Sequence, residues 1–136
     1  MRSQIACDRQ ILIAIVTGYR IGRVRVVFSL PRRSLALLFP TGNQVPKHLV
    51  YVEWYTAFTE DPEPDSRLFK ISPMKDSDGG RICSIIPLAN IRRSVQLIPK
   101  FGAVAPQEWT SSNVLDLANV FLVNSFTDLH LFRVMC

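Results

Sequence analysis

Arg23-Val24-Arg25-Val26-Val27-Phe28 is the stretch on which the fold turns. Side chains along a strand point alternately to opposite faces. Val24, Val26 and Phe28 then share one face, and Arg23 and Arg25 the other. This alternation predicts a half-buried strand with a basic outer face, ended by Pro31. Downstream, Val50-Tyr51-Val52-Glu53-Trp54-Tyr55 repeats the pattern, with Val50, Val52 and Trp54 on the core face and Tyr51, Glu53 and Tyr55 opposite. Two such strands, rich in β-branched and aromatic residues, predict a β-rich domain.

Working outward, Ile11-Leu12-Ile13-Ala14-Ile15-Val16 is apolar throughout, as in a strand buried on both faces, and is short enough to suit a helix as well. Leu35 to Phe39 is apolar between two turn segments, Pro31-Arg32-Arg33-Ser34 and Pro40-Thr41-Gly42-Asn43, and is expected to plug the core from a loop. Two prolines and four acids make residues 60–66 an exposed loop. Leu68-Phe69-Lys70-Ile71 and Ile82-Cys83-Ser84-Ile85-Ile86 flank Asp76-Ser77-Asp78-Gly79-Gly80, which predicts a β-hairpin with a glycine tip. Leu88, Ile91 and Val95 suggest one or two helical turns. Thr110-Ser111-Ser112-Asn113 resembles a helix N-cap before Val114-Leu115-Asp116-Leu117-Ala118. Strands are expected at Val120–Val123 and His130–Val134. The sum is a mainly β domain with short helices, of the α+β class, closing as a small barrel or bending strongly as one antiparallel sheet.

The chain has 136 residues, 48% of them hydrophobic and 20% charged, which suits one domain with a core of its own. The net charge of +5 is unevenly spread. Residues 1–50 hold eight bases and one acid, whereas residues 51–80 hold three bases and seven acids. A basic front favours an anionic partner, and the acidic middle would be avoided by a nucleic acid. Cys7, Cys83 and Cys136 have no metal or redox spacing, and Cys83 reads as a small core residue. No run reaches the ~18 apolar residues of a membrane span, so no membrane contact is expected. The cysteines make no secreted framework, and Ile11 to Val16, with Asp8 before it, is short for a signal-peptide core. An intracellular protein is therefore expected, with secretion the alternative.

Catalytic patterns are missing. Gly79-Gly80 has no Lys and Ser/Thr to make a phosphate loop, and there is no G-x-S-x-G turn. His48 and His130 have no ligand-spaced neighbours. Glu53 is the one mid-strand acid; it suits pairing with a cross-strand base, and a metal role would need a second carboxylate close by. Neither an enzyme, a cofactor, a metal nor a small-molecule substrate is expected. The candidate phosphate contacts are Arg20, Arg23, Arg25, Arg32, Arg33, Arg92, Arg93 and Lys100, against the alternative of a solvated basic face. Tyr51, Tyr55 and Trp109 are the candidate aromatic patch, able to stack bases or cage a methylated lysine.

Arg20 to Pro31, His48 to Phe58, Ser84 to Gly102, Glu108 to Leu115 and Phe121 to Asp128 together resemble, in order, a C-terminal region of basidiomycete transposon-encoded proteins of the Plavaka and KDZ transposase-associated kind. The resemblance divides the chain into a divergent segment, 1–19, and a single β-rich domain, 20–136. It implies a nuclear, genome-associated setting in a fungus and a catalytic domain located elsewhere, so no catalytic residue carries over. By fold analogy, the segments around residues 51–55 and 86–88 look like SH3 or BAH barrels. The function expected is a non-catalytic accessory module associated with nucleic acid, with DNA or chromatin as partner. The alternatives are a module binding other transposase domains or a histone tail, and an inert remnant of a transposable element.

Overall fold

The computed structural model describes residues 5–15, 18–38, 46–59 and 61–124. Among the described residues, two antiparallel sheets carry the fold, with few and short helices and no closed barrel. The larger is built from β1 (Ile5–Ile15), β2 (Gly18–Phe28), β3 (Leu49–Trp54), β5 (Cys83–Pro87) and β6 (Ile91–Ser94), in the order β5-β3-β2-β1-β6. The smaller joins β4 (Phe69–Ile71), β8 (Phe121–Val123) and β7 (Leu97–Pro99) in the order β4-β8-β7. Helix α1 spans Arg32–Leu38, and α2 is a single turn, Val114–Leu117.

β1 pairs with β2 on one side and β6 on the other, so the segment before residue 20 lies inside the larger sheet. Pairing on both edges satisfies the main-chain groups along this strand. Gly18 opens β2 at φ +131, a conformation that side-chain-bearing residues rarely adopt.

β2 departs from simple alternation. Val24 faces Val52 on β3, but Val26 faces Tyr51, so Arg25 is an extra residue and forms a bulge. One inserted residue inverts the faces beyond it. Val24 and Val27, rather than Val24 and Val26, therefore pack into one cluster with Val50, Val52 and Trp54. Met74, Ile82, Ile86 and Ile91 complete it. The opposite face is buried too. Ile21 packs there with Tyr55, Ile71, Val95, Ala118, Phe121 and Val123, against the smaller sheet and α2. The basic outer face expected of this strand is thus absent at Arg23, which is 2% exposed.

Four more expectations are corrected. Leu35–Phe39 does not plug the core: α1 begins after Pro31 and leaves Leu37 83% exposed, while Phe39 lies outside the described residues. Residues 68–71 and 82–86 are not one hairpin, because β4 pairs with β8 and β5 with β3. A tighter turn takes its place, bridging Lys75 and Arg81, with Asp76 Oδ1 accepting from the Asp78 and Gly80 amides. Ser72-Pro73 starts the departure: Pro73 has no N–H to extend a ladder, and the chain crosses to Thr56 and Trp54. Leu88–Val95 is one 3-10 turn, Leu88–Asn90, followed by β6 rather than helix. Cys83 is exposed rather than in the core, because it lies on the face of β5 that it shares with the exposed Ile85. The expected turn at 40–43 and the strand at 130–134 lie outside the described residues.

Candidate functional site

Arg23 enters the interface between the larger sheet and α2. Its Nη1 donates to Asp116 Oδ1 at 2.6 Å and lies 3.9 Å from Glu53 Oε2. The latter distance is Coulombic rather than hydrogen-bonded. Arg25 Nη1 approaches the same Glu53 oxygen at 3.8 Å. Arg23 and Glu53 are register partners across β2 and β3, which is the cross-strand pairing expected of Glu53. Arg81 reaches in from the 75–81 turn, and its Nη2 donates to the Leu115 carbonyl at 2.8 Å. Tyr55 stands beside these groups, its ring packed edge-on to Phe121 at 5.8 Å.

The electrostatics follow from those contacts. The Arg23 hydrogen bond holds the Asp116 carboxyl below its usual range, against some desolvation. Burial pushes the Tyr55 phenol up, opposed by Arg81 and Arg23. Among the described residues, three guanidiniums around two carboxylates make an ion-pair centre that ties β2, β3, the 75–81 turn and α2 together. Among the described residues no cluster of three or more His, Cys, Asp or Glu could hold a metal.

The eight basic candidates do not converge on one face. Arg20 stacks over Trp54 at 4.8 Å, donates to the Tyr55 carbonyl at 2.8 Å and contacts Met74 Sδ. Arg23 is buried and Arg25 is drawn to Glu53. Lys100 pairs with Glu63, whose carboxyl is held below its usual range by that contact and by Ser66. Arg32 and Arg33 lie exposed on α1, beyond the end of β2 that faces Ile5. Arg92 and Arg93 lie on β6, where Arg93 faces Leu12. Ile5 and Leu12 are roughly 23 Å apart along β1, at about 3.3 Å per residue.

The aromatic candidates separate as well. Tyr55 is fully buried, so it contributes nothing to an exposed patch or cage. β3 ends at Trp54, and the chain turns so that Tyr55 N donates to the Ile21 carbonyl, which carries the ring into the inter-sheet core. Trp109 is half-buried against that core and edge-on to Phe101. Tyr51 alone stays near the surface of the larger sheet, where its hydroxyl donates to Cys83 Sγ at 2.9 Å. This contact raises its pKa.

Tyr51 leads to a surface that the candidate residues did not mark. Its register partner on β5 is Ile85, 58% exposed. Cys83 and Ser84 beside it are exposed too. The row of Cys83 and Ile85 is therefore uncovered, whereas Ile82 and Ile86 pack on the other face beside Trp54, whose Nε1 donates to Ser84 Oγ at 2.9 Å. A signal was present in the sequence: Pro87 cannot donate within a ladder, and prolines of that kind mark edge strands. Compared with known protein families, characterised proteins and solved structures, the chain has no match.

Proposed function

We propose that this chain is a non-catalytic docking module that accepts an extended protein segment as an added strand on β5. The supporting observation is the exposed, uncharged run Cys83-Ser84-Ile85 on β5, which is an edge of the five-stranded sheet among the described residues. Main-chain groups along such an edge supply affinity, and side-chain pockets on alternate residues supply selectivity. The resemblance to transposon-encoded proteins adds the setting: an accessory module in the nucleus, whose partner is another domain of such a protein. Dispersal of the arginines disfavours a phosphate-tracking surface, which requires a stripe or patch of charge.

Backbone amide NMR with synthetic, uncharged, Val/Thr-rich decapeptides tests this reading. The Cys83 and Ile85 amides should shift on titration, and Ile85→Lys should abolish the effect. Peptides that leave both amides unmoved would refute strand addition. A gel shift with a short DNA duplex at low salt should show no retardation. Retardation with a salt slope lowered by Arg32→Ala or Arg33→Ala would restore the nucleic-acid reading.

A further inference from the structure

The ion-pair centre, away from the β5 edge, holds three buried polar atoms that have no hydrogen-bond partner among the described residues. Tyr55 is fully buried, and its hydroxyl is one of them. Arg81 donates through Nη2 to the Leu115 carbonyl, which leaves the buried Nη1 over. Glu53 Oε2 is the third. It meets Arg23 at 3.9 Å and Arg25 at 3.8 Å, both beyond hydrogen-bond length. Buried polar groups of folded proteins almost all find a partner, either in the protein or in ordered water, because an unpaired one is costly.

Neighbouring elements gather these atoms in one place. Glu53 and Tyr55 are alternate residues at the end of β3, and Arg23 is the register partner of Glu53. Arg23 reaches Asp116 on α2, and Arg81 reaches Leu115, the residue before it. Leu115 in turn packs against the cluster that holds Tyr55. Burial is the main influence on the Tyr55 phenol, followed by the charges of Arg81, Arg23 and Glu53.

The chemistry of the three atoms selects what can sit among them. Arg81 Nη1 can only donate, Glu53 Oε2 can only accept, and the Tyr55 hydroxyl can do either. A cation would face the guanidiniums of Arg23, Arg25 and Arg81. An anion would face the carboxylates of Glu53 and Asp116. A small neutral molecule that both donates and accepts suits all three atoms, and water is that molecule. It accepts from Arg81, donates to Glu53 and shares a further hydrogen bond with Tyr55. Buried waters typically make about three hydrogen bonds, and they bridge polar groups held just too far apart for direct contact. Asp116 and Arg25 are partly exposed at the rim of the centre, which gives the molecule a way in.

We propose that the ion-pair centre binds one internal water molecule between Tyr55 Oη, Arg81 Nη1 and Glu53 Oε2. Oxygen-17 magnetic relaxation dispersion of the full chain should show the step of a long-lived water. Tyr55→Phe keeps the ring in the core and removes one partner of three, so the residence time should fall about tenfold. Crystals of the unaltered chain grown in bromide should show a solvent oxygen about 2.7–3.2 Å from each of the three atoms, with no anomalous signal there. A missing dispersion step, a residence time unchanged in Tyr55→Phe, or bromide at the site would each overturn the proposal. So would a direct hydrogen bond from Arg81 Nη1 to Glu53 or Tyr55 that closes the gap. The dispersion step and the crystal are both read on the unaltered chain, so they decide the matter even if Tyr55→Phe fails to fold.

Discussion

Removing Asp116 should destabilise the fold more than removing Arg23, although the two form one pair. Arg23 is 2% exposed, while the Asp116 side chain is 55% exposed. In Asp116→Ala the guanidinium stays in the interface and loses its 2.6 Å acceptor. A hydrogen bond to a charged group contributes about 1.5–3 kcal/mol, so a loss of about 2 kcal/mol is expected. Arg23→Met takes the buried charge away and keeps most of the side-chain volume. Asp116 then rehydrates, Glu53 keeps Arg25 at 3.8 Å, and the loss should be about 1 kcal/mol, as for a half-exposed pair. The double variant should fall short of the sum of the two by about 1 kcal/mol, because both single changes break one contact. Urea unfolding followed by tryptophan fluorescence measures all four corners, with Trp54 in one core cluster and Trp109 packed against the other. Additive losses, or Arg23→Met costing more than Asp116→Ala, would refute this account of the centre.

Acid sensitivity should follow the same pair. Asp116 and Glu63 both titrate below their usual values, 3.8 and 4.5, so the folded state binds fewer protons there than the unfolded one. Their stabilisation is complete above those values and is lost as pH falls through the lower folded values. The melting temperature should therefore drop below about pH 4, and less steeply in Asp116→Asn. Phe121→Ala should cost about 3–5 kcal/mol by denaturant unfolding, since the ring is fully buried edge-on to Tyr55. Leu37→Ser should change stability by no more than about 0.5 kcal/mol, because the side chain is solvated on α1; a larger loss would show that it is covered after all.

β2 and β3 of the larger sheet are legible because their residues alternate, whereas the sequence of β6 suggests helical turns and that of β1 suits either strand or helix. Val50, Val52 and Trp54 lie on one core face as the pattern predicts. What the pattern could not carry was the bulge. Nothing in Arg23-Val24-Arg25-Val26 marks Arg25 as the extra residue, since any residue type fits there and the register belongs to the partner strand. The buried fate of Arg23 was hidden for the same reason. Its neutralising acid comes from α2, ninety-three positions away, and a one-turn helix leaves little trace in sequence. The 68–71 and 82–86 pairing went astray because a turn signal at Gly79-Gly80 fixes which residues reverse direction, not how far the two arms stay together. Short strands of three residues, such as β4, are held by the sheet they join and not by their own propensity.

The bulge also explains how β2 packs on both of its faces. By inverting β2 at Arg25, it lets Ile21 and Arg23 meet the smaller sheet and α2 while Val24 and Val27 meet Trp54, Met74 and Ile82. Both faces are thus covered where β2 crosses β3, as in a sheet with layers on each side. A charge buried in such a place needs a partner from the covering layer, which Asp116 supplies. With both faces of β2 covered and Arg92 and Arg93 on β6, the main chain of β5 is the uncharged edge of the larger sheet among the described residues. The arginines that first suggested an anionic partner are thus divided among internal ties, the β6 edge and the exposed helix α1, which is why the proposed docking turns to Cys83, Ile85 and Tyr51 instead.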